Sequence, residues 1–301
     1  MRSVRNKLAL VTGAASGIGR AIAIELARGG ANLILVDLNR PSLEPVAAIA
    51  AALGARVLTL AADMGRPWDI ERLVDTVLAR FGGLDILVNN AGIAYYGLTD
   101  HMRDDQWDRL LAVNLHGPTL LTRRLLPTLL SRPEAHILNV CSLAGLVPSA
   151  RLTAYQVSKA GLIGFSESLR AEYGRRGLGV TTLCPGPVRT NIFRTAETSP
   201  GRSVPKLPNW VHSSPERVAR RAMRAIRGRH GTVVVSMLDR VLWAVKRYFP
   251  GAFDLGQQFR WRRPKIGHAK PLVDMLGEST EACSQTPAAE HEPALASHSA
   301  A

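Results

Sequence analysis

A chain of 301 residues, 46% hydrophobic and only 5% aromatic, holds enough aliphatic material for one large α/β core, yet no apolar run approaches the roughly 20 residues that cross a bilayer. Cys141, Cys184 and Cys283 are its three cysteines; they lie far apart with no C-x-x-C pair, which excludes a disulfide-stapled secreted fold and reads as reduced thiols in a cytosolic setting. The formal charge of +14 is concentrated, with 16 Lys and Arg against 4 Asp and Glu between residues 200 and 275, an excess of +12 that leaves the remainder nearly neutral.

The basic start "MRSVRNK" leads into "LALVTG", an apolar run too short for a signal peptide and better read as a strand ending in a glycine turn. "GIGRAIAIELARGGA" has helical periodicity closed by Gly-Gly, and "NLILVDLN" is the next strand. There follow a helix ("SLEPVAAIAAAL"), a strand ("RVLTLAAD"), a helix ("DIERLVDTVLARFG") and a strand ("LDILVNNAG"). A helical zone from about 104 to 131, the strand "HILNVCS", a helix from near Thr153, and the strands "GVTTLCPG" and "GTVVVS" complete the series. Strands alternating with helices of this length imply βαβ units and a doubly wound parallel sheet. A single domain over 1–238 is expected, then a basic amphipathic extension over 239–275 and a disordered tail over 276–301 that lacks periodicity.

The first turn reads Thr12-Gly13-Ala14-Ala15-Ser16-Gly17-Ile18-Gly19, a G-x-x-x-G-x-G spacing between strand and helix. Glycines there let backbone approach a pyrophosphate, and the helix start offers unpaired N–H groups and a positive dipole end. The second strand ends in Asp37, whose carboxylate can accept from the adenosine ribose hydroxyls and would repel a 2′-phosphate. NAD is therefore favoured, and Arg40 nearby leaves NADP open.

With these features in order, the sequence resembles the short-chain dehydrogenase/reductase family from about residue 7 to 235. The resemblance is carried by the Thr12–Gly19 turn, Asp63, Asn89-Asn90-Ala91-Gly92, Asn114, Ser142, Tyr155 with Lys159, and Pro185-Gly186-Pro187-Val188-Arg189-Thr190. It implies a Rossmann-like sheet of about seven strands in three layers. The cofactor would be held by Gly13, Ser16, Gly17, Ile18, Gly19, Asp37, Asn90, Ala91, Gly92, Tyr155, Lys159, Pro185 and Gly186. In the same pattern Asp63 and Met64 flank the adenine, Asn90 lies near its ribose, and Val188 and Thr190 hold the nicotinamide carboxamide.

Tyr155 and Lys159 are four residues apart, hence on one helical face. Oxidising an alcohol with a nicotinamide requires a base at the hydroxyl, and a free phenol titrates near about 10. An ammonium beside it favours the anion; lowering the phenol by about three units needs about 4 kcal/mol, expected from Lys159 and the cationic ring together. Ser142 would bond the substrate oxygen, and the resemblance makes Asn114 the anchor of a water joining Lys159 to solvent. The reverse reaction uses Tyr155 as acid. The catalytic set is thus Asn114, Ser142, Tyr155 and Lys159, with Ser142 and Tyr155 on the substrate and no metal. Cys141, next to the serine, is expected to point to the opposite side as a packed thiol.

The stretch from Phe193 to about Trp210 is expected to form a mobile lid, and Leu143, Leu146, Val147 and Leu152 an apolar pocket wall suited to a hydrophobic secondary alcohol or ketone. Residues 240–265 mix Trp243, Phe249, Phe253, Phe259 and Trp261 with Arg and Lys, a composition that can lie on an anionic membrane, cover the cleft, join subunits or simply face solvent. No nucleic-acid motif accompanies the charge. The resemblance further implies a homodimer or homotetramer. Against a cytoplasmic oxidoreductase, peripheral at most on the inner membrane surface, stand a non-catalytic dinucleotide sensor and a membrane-associated scaffold.

Overall fold

The strand sequences are almost wholly apolar because both faces of the sheet are covered. The computed structural model describes residues 1–260 except 202, 206 and 207; Cys283, the tail, and the part of the basic segment beyond residue 260 lie outside the described residues. The elements are β1 (Leu8–Thr12), α1 (Gly17–Arg28), β2 (Asn32–Asp37), α2 (Glu44–Ala52), β3 (Val57–Ala61), α3 (Pro67–Phe81), β4 (Ile86–Asn89) and β5 (Tyr95–Tyr96). They continue with α4 (Asp104–Leu111), α5 (Gly117–Leu130), β6 (Ala135–Val140), α6 (Thr153–Tyr173), β7 (Leu178–Cys184), β8 (Glu197–Thr198), α7 (Pro215–Gly228), β9 (Thr232–Val234), α8 (Met237–Tyr248) and α9 (Pro250–Arg260).

Seven strands form one parallel sheet in the order β3-β2-β1-β4-β6-β7-β9. Alternate residues enter opposite cores: Val11, Leu35, Val88 and Val140 meet α1, α2 and α7 on one face. Leu10, Ile34, Leu87 and Ile137 meet α3, α5 and α6 on the other. The chain winds outward to β3, then returns past β1 to β4, so the carboxyl ends of β1 and β4 open a crevice where the winding reverses.

The expected helical zone from 104 to 131 is two helices joined by a π-turn over Ala112–His116, a local rewinding that occurs often at functional positions. Gly117 follows because Met64 O lies 2.1 Å from where its Cβ would stand. A second, two-stranded sheet pairs Tyr95 with Glu197 and Tyr96 with Thr198, so the stretch expected as a lid is pinned to the segment after β4. Met1–Pro250 form one compact unit, and Gly251 begins a second. No described helix is long and apolar enough to cross a membrane.

Candidate active site

The glycine turn is built by hydrogen bonds from β4. Asn90 Nδ2 donates to Thr12 O (2.9 Å) and Gly13 O (3.0 Å), and Thr12 Oγ1 accepts from the Asn90 and Ala91 amides at 3.0 and 3.1 Å. Gly13 and Gly17 have φ of +63° and +54°, and a Cβ on Gly13 would stand 2.8 Å from Asn90 Nδ2, so neither position takes a side chain without strain. Ser16 at the start of α1 makes no side-chain capping bond, which leaves the first N–H groups of the helix directed at the crevice.

That crevice is a cleft of about 420 Å³. Gly13, Ser16, Gly17 and Ile18 line its middle with Asn90, Ala91 and Gly92; Asp37, Asp63 and Met64 line one end, and Pro185, Gly186, Val188 and Thr190 the other. Gly19 is the exception among the expected cofactor residues. It sits behind the turn, where a Cβ would fall 2.2 Å from Gly13 O, and so serves close packing rather than the cleft wall. Asn90 likewise spends both amide protons on the turn.

At the first end, Asp37 accepts from the Ala15 amide at 3.0 Å and the Leu38 amide at 2.9 Å, which fixes the carboxylate with lone pairs to spare. Arg40 is turned away to Thr59 Oγ1 (3.4 Å) and does not line the cleft. Asp63 accepts from Arg109 through both oxygens at 2.9 Å. Burial would raise its carboxyl, but the hydrogen bonds from Arg109 and the Gly65 amide outweigh it and hold the carboxyl below its ordinary value. Arg109 also lines the cleft and had no signal in the sequence, because its partner is 46 residues away.

Ser142, Tyr155 and Lys159 line the other end together. Tyr155 is 5% exposed, with the edge of Phe193 against its ring at 5.9 Å. Burial, reinforced by the neighbouring Cys141 and Cys184, pushes the phenol up to about 12, and a hydrogen bond with Ser142 is the one influence that lowers it. Lys159 stands beside the phenol without a hydrogen bond to it among the described residues. Its Nζ donates to Val140 O at 3.0 Å, lies 5.7 Å from the centroid of the Tyr155 ring, and has its own pKa lowered by burial. Asn114, carried on the π-turn, lies outside the cleft wall and is wholly buried. It clasps Ile93 with a bond to the carbonyl and one from the amide, each 2.9 Å, and reaches Ser158 Oγ at 3.2 Å.

Cys141 lines the cleft together with Ser142, not the opposite side as expected, because the strand ends at Val140 and alternation stops there; it is still a free, buried thiol that burial pushes up to about 12, far from the thiolate a nucleophile needs. Leu143, Leu146, Val147 and Leu152 do not line the cleft, against expectation; Leu152 packs instead on the cluster around Tyr155. Leu143 and Val147 are buried and Leu146 and Leu152 half-buried, while the apolar residues that line the cleft with Tyr155 include Ile93, Ile192 and Phe193.

The open start of α1, side-chain-free glycines and a fixed carboxylate at the far end suit a dinucleotide laid across the sheet, with its reactive ring beside Tyr155. Comparison with known proteins agrees with this architecture. The short chain dehydrogenase family matches residues 7–200. Oxidoreductase UcpA of Escherichia coli (strain K12) is 36% identical over 212 residues, which is 70% of this chain and 79% of that one. A Burkholderia phymatum short chain dehydrogenase/reductase solved with NAD superposes with a TM-score of 0.73 at 25% identity, covering 89% of this chain and 100% of the other. A Sphingobium yanoikuyae short-chain dehydrogenase solved with NADPH gives 0.71 at 26% identity, covering 88% and 99%. The glycine turn and Ser142, Tyr155 and Lys159 lie within the matched residues, and the chain is an oxidoreductase that belongs to the short-chain dehydrogenase family.

Proposed function

We propose that this protein interconverts a hydrophobic secondary alcohol and its ketone with a nicotinamide dinucleotide, NAD in preference to NADP, and that Tyr155 moves the proton. The observation that carries the reading is the meeting of Ser142, Tyr155 and Lys159 at one end of a cleft whose middle is the glycine turn. Relatives in fold have been solved with NAD and with NADPH, which supports the cofactor class. Asp37 facing the cleft while Arg40 turns to Thr59 supports NAD. Gly13, Ser16, Gly17, Ile18, Ala91 and Gly92 would carry the pyrophosphate and ribose, with Asp63 and Met64 at the adenine and Pro185, Gly186, Val188 and Thr190 at the nicotinamide.

When bound, the nicotinamide accepts hydride from the alcohol carbon or returns it to the ketone. The chain handles the rest. Ser142 bonds the substrate oxygen; Tyr155 takes its proton as the C–H bond breaks, or gives the proton to the ketone oxygen in reverse. Lys159 would hold the cofactor's ribose, and Asn114 fixes Ile93 and would anchor a water on the proton's route to solvent. Ile93, Ile192 and Phe193, which line the cleft with Tyr155, favour an apolar substrate. Tyr155→Phe tests the reading: NAD should still bind with turnover lost, whereas unchanged turnover would refute it. A dinucleotide sensor would differ by showing no turnover in the native protein. We assign the enzyme to the cytoplasm as a homodimer or homotetramer, to be checked by light scattering.

A separate observation favours a contact of the protein with an anionic membrane. On α8, Met237, Leu238, Val241, Leu242, Val245 and Tyr248 are all exposed, and at 100° per residue they form one outward apolar stripe. Arg221 stands nearby with its guanidinium pKa lowered, by burial first and then by the like charges of Arg224, Arg240 and Arg217. An exposed apolar stripe on a helix that also carries Arg240, Lys246 and Arg247 suits a bilayer of acidic lipids. Leu238→Glu with Val241→Glu should abolish co-sedimentation with phosphatidylglycerol vesicles; undiminished binding would remove the proposal.

A further inference from the structure

The loop that follows β7 is held by a side chain from a helix that lies outside the recognised motifs. Asp239 in the first turn of α8 is 3% exposed and is the buried residue of that helix. Its Oδ2 accepts from the Gly186 amide at 3.1 Å and from the Ser236 amide at 3.3 Å, while its own amide donates to Ser236 Oγ at 3.1 Å. The two bonds with Ser236 make an ordinary capping box. The bond from Gly186 is additional, and it crosses 53 residues of sequence.

The contact is close enough to dictate the residue at 186. A Cβ there would stand 2.1 Å from Asp239 Oδ1 and 2.6 Å from its carboxyl carbon. Glycine is needed at this position for space, because its backbone is not in the left-handed region. Gly186 lies between Pro185 and Pro187 and lines the cleft. The same loop reaches the catalytic end: the Leu143 amide, next to Ser142, donates to Pro185 O at 2.8 Å, and Pro187 O accepts from the Ser213 amide at 2.9 Å. Asp239 thus grips the one free amide between two prolines, on a loop tied to Ser142 at one side and to the stretch before α7 at the other.

We propose that Asp239 is a positioning residue for cofactor binding, which sets the Pro185–Thr190 loop at the nicotinamide end of the cleft through the Gly186 amide. The proposal rests on reading the cleft as a nicotinamide dinucleotide site. Its logic is that a buried carboxylate, favoured by the N-terminal end of α8, forms charge-assisted bonds that hold a backbone more firmly than a neutral acceptor. The loop's amides and side chains then meet the ring without having to be ordered at the moment of binding.

The test is NADH binding by fluorescence titration, with melting temperature and steady-state constants measured alongside. Asp239→Ala should weaken NADH binding by about tenfold, the worth of a hydrogen bond to a charged group, and raise KM for NAD more than it lowers kcat. Asp239→Asn, which keeps an acceptor oxygen, should restore affinity to within about threefold of the native protein. Ser236→Ala removes the other half of the capping box; it should lower the melting temperature and leave NADH affinity unchanged. Gly186→Ala should lose affinity through the clash, and in the Asp239→Ala background it should add little, because the obstructing carboxylate is gone. Native affinity in Asp239→Ala, equal losses in Ser236→Ala, or losses at 186 and 239 that simply multiply would each overturn the proposal. Should Asp239→Ala not fold, Asp239→Ser takes its place in the same cycle. Failure of the native protein to bind NADH would instead overturn the cofactor reading.

Discussion

The position of Tyr155 makes a quantitative demand on its titration. Burial pushes the phenol up to about 12, whereas in the unfolded chain it titrates near about 10. A raised pKa means that the folded protein holds the proton more tightly than the unfolded one. The associated stability is fully present below about pH 10 and is lost as pH rises through the folded value. At pH 11 the unfolded phenol is mostly ionised and the folded one mostly neutral, so the linkage removes about 1.4 kcal/mol of stability, approaching about 2.7 kcal/mol above pH 12. Tyr155→Phe lacks this loss. Urea unfolding of both proteins from about pH 8 to pH 11 should therefore show the native protein falling relative to the variant by about that amount. The ultraviolet difference titration of the two, which isolates one phenol among the five tyrosines, should place Tyr155 well above the ordinary range. A phenol titrating at or below about 10 in the protein alone would refute the reasoning, since it would mean that Lys159, not burial, governs it.

Further outcomes follow from individual contacts. Asp37→Ser removes a carboxylate fixed by the Ala15 and Leu38 amides; the ratio of kcat/KM for NAD over NADP should fall by about tenfold or more, and an unchanged ratio would discard the NAD assignment. Gly19→Ala places a methyl 2.2 Å from Gly13 O, so calorimetry should show a lowered melting temperature together with weaker NAD binding. Arg109→Ala withdraws the guanidinium that helps keep the Asp63 carboxyl low. The advantage of the native protein over this variant should be present near neutrality and decline as pH falls below about 4, because a depressed carboxylate loses its stabilisation on protonation. Phe193→Ala takes away the edge packed on Tyr155 and should raise KM for apolar alcohols more than for small ones.

The parts of this molecule legible from its sequence are those governed by neighbours along the chain. Strand periods, glycine spacing and the Tyr155–Lys159 helical face follow from local geometry, and they located the sheet and the turn; most of the cleft wall was expected only through the family resemblance. Contacts between distant segments were not legible. Arg109 meets Asp63, and Asp239 meets Gly186, only once helices from different parts of the chain lie against the sheet. The pairing of Tyr95–Tyr96 with Glu197–Thr198 likewise joins stretches too short to show an alternating pattern. Leu143 and Val147 misled because apolar residues next to Ser142 look like a pocket wall in one dimension, while their direction depends on how the chain turns after Val140.

Motif and environment also pull in different directions at the phenol itself. The spacing of Tyr155 and Lys159 suggests a cation acting on a phenol; in the folded chain the ammonium also donates to Val140 O, and burial favours the protonated phenol. A donor held neutral in a dry cleft is well suited to giving that proton to a ketone oxygen. On the proposed reading, the other direction, toward the ketone, requires the phenol to ionise, which burial opposes and the hydrogen bond with Ser142 assists. Reduction should therefore keep its rate across neutral and mildly alkaline pH, while oxidation gains with rising pH until the phenol titrates. Measured pH profiles for the two directions that rise and fall together would show that the proton is carried by a different group.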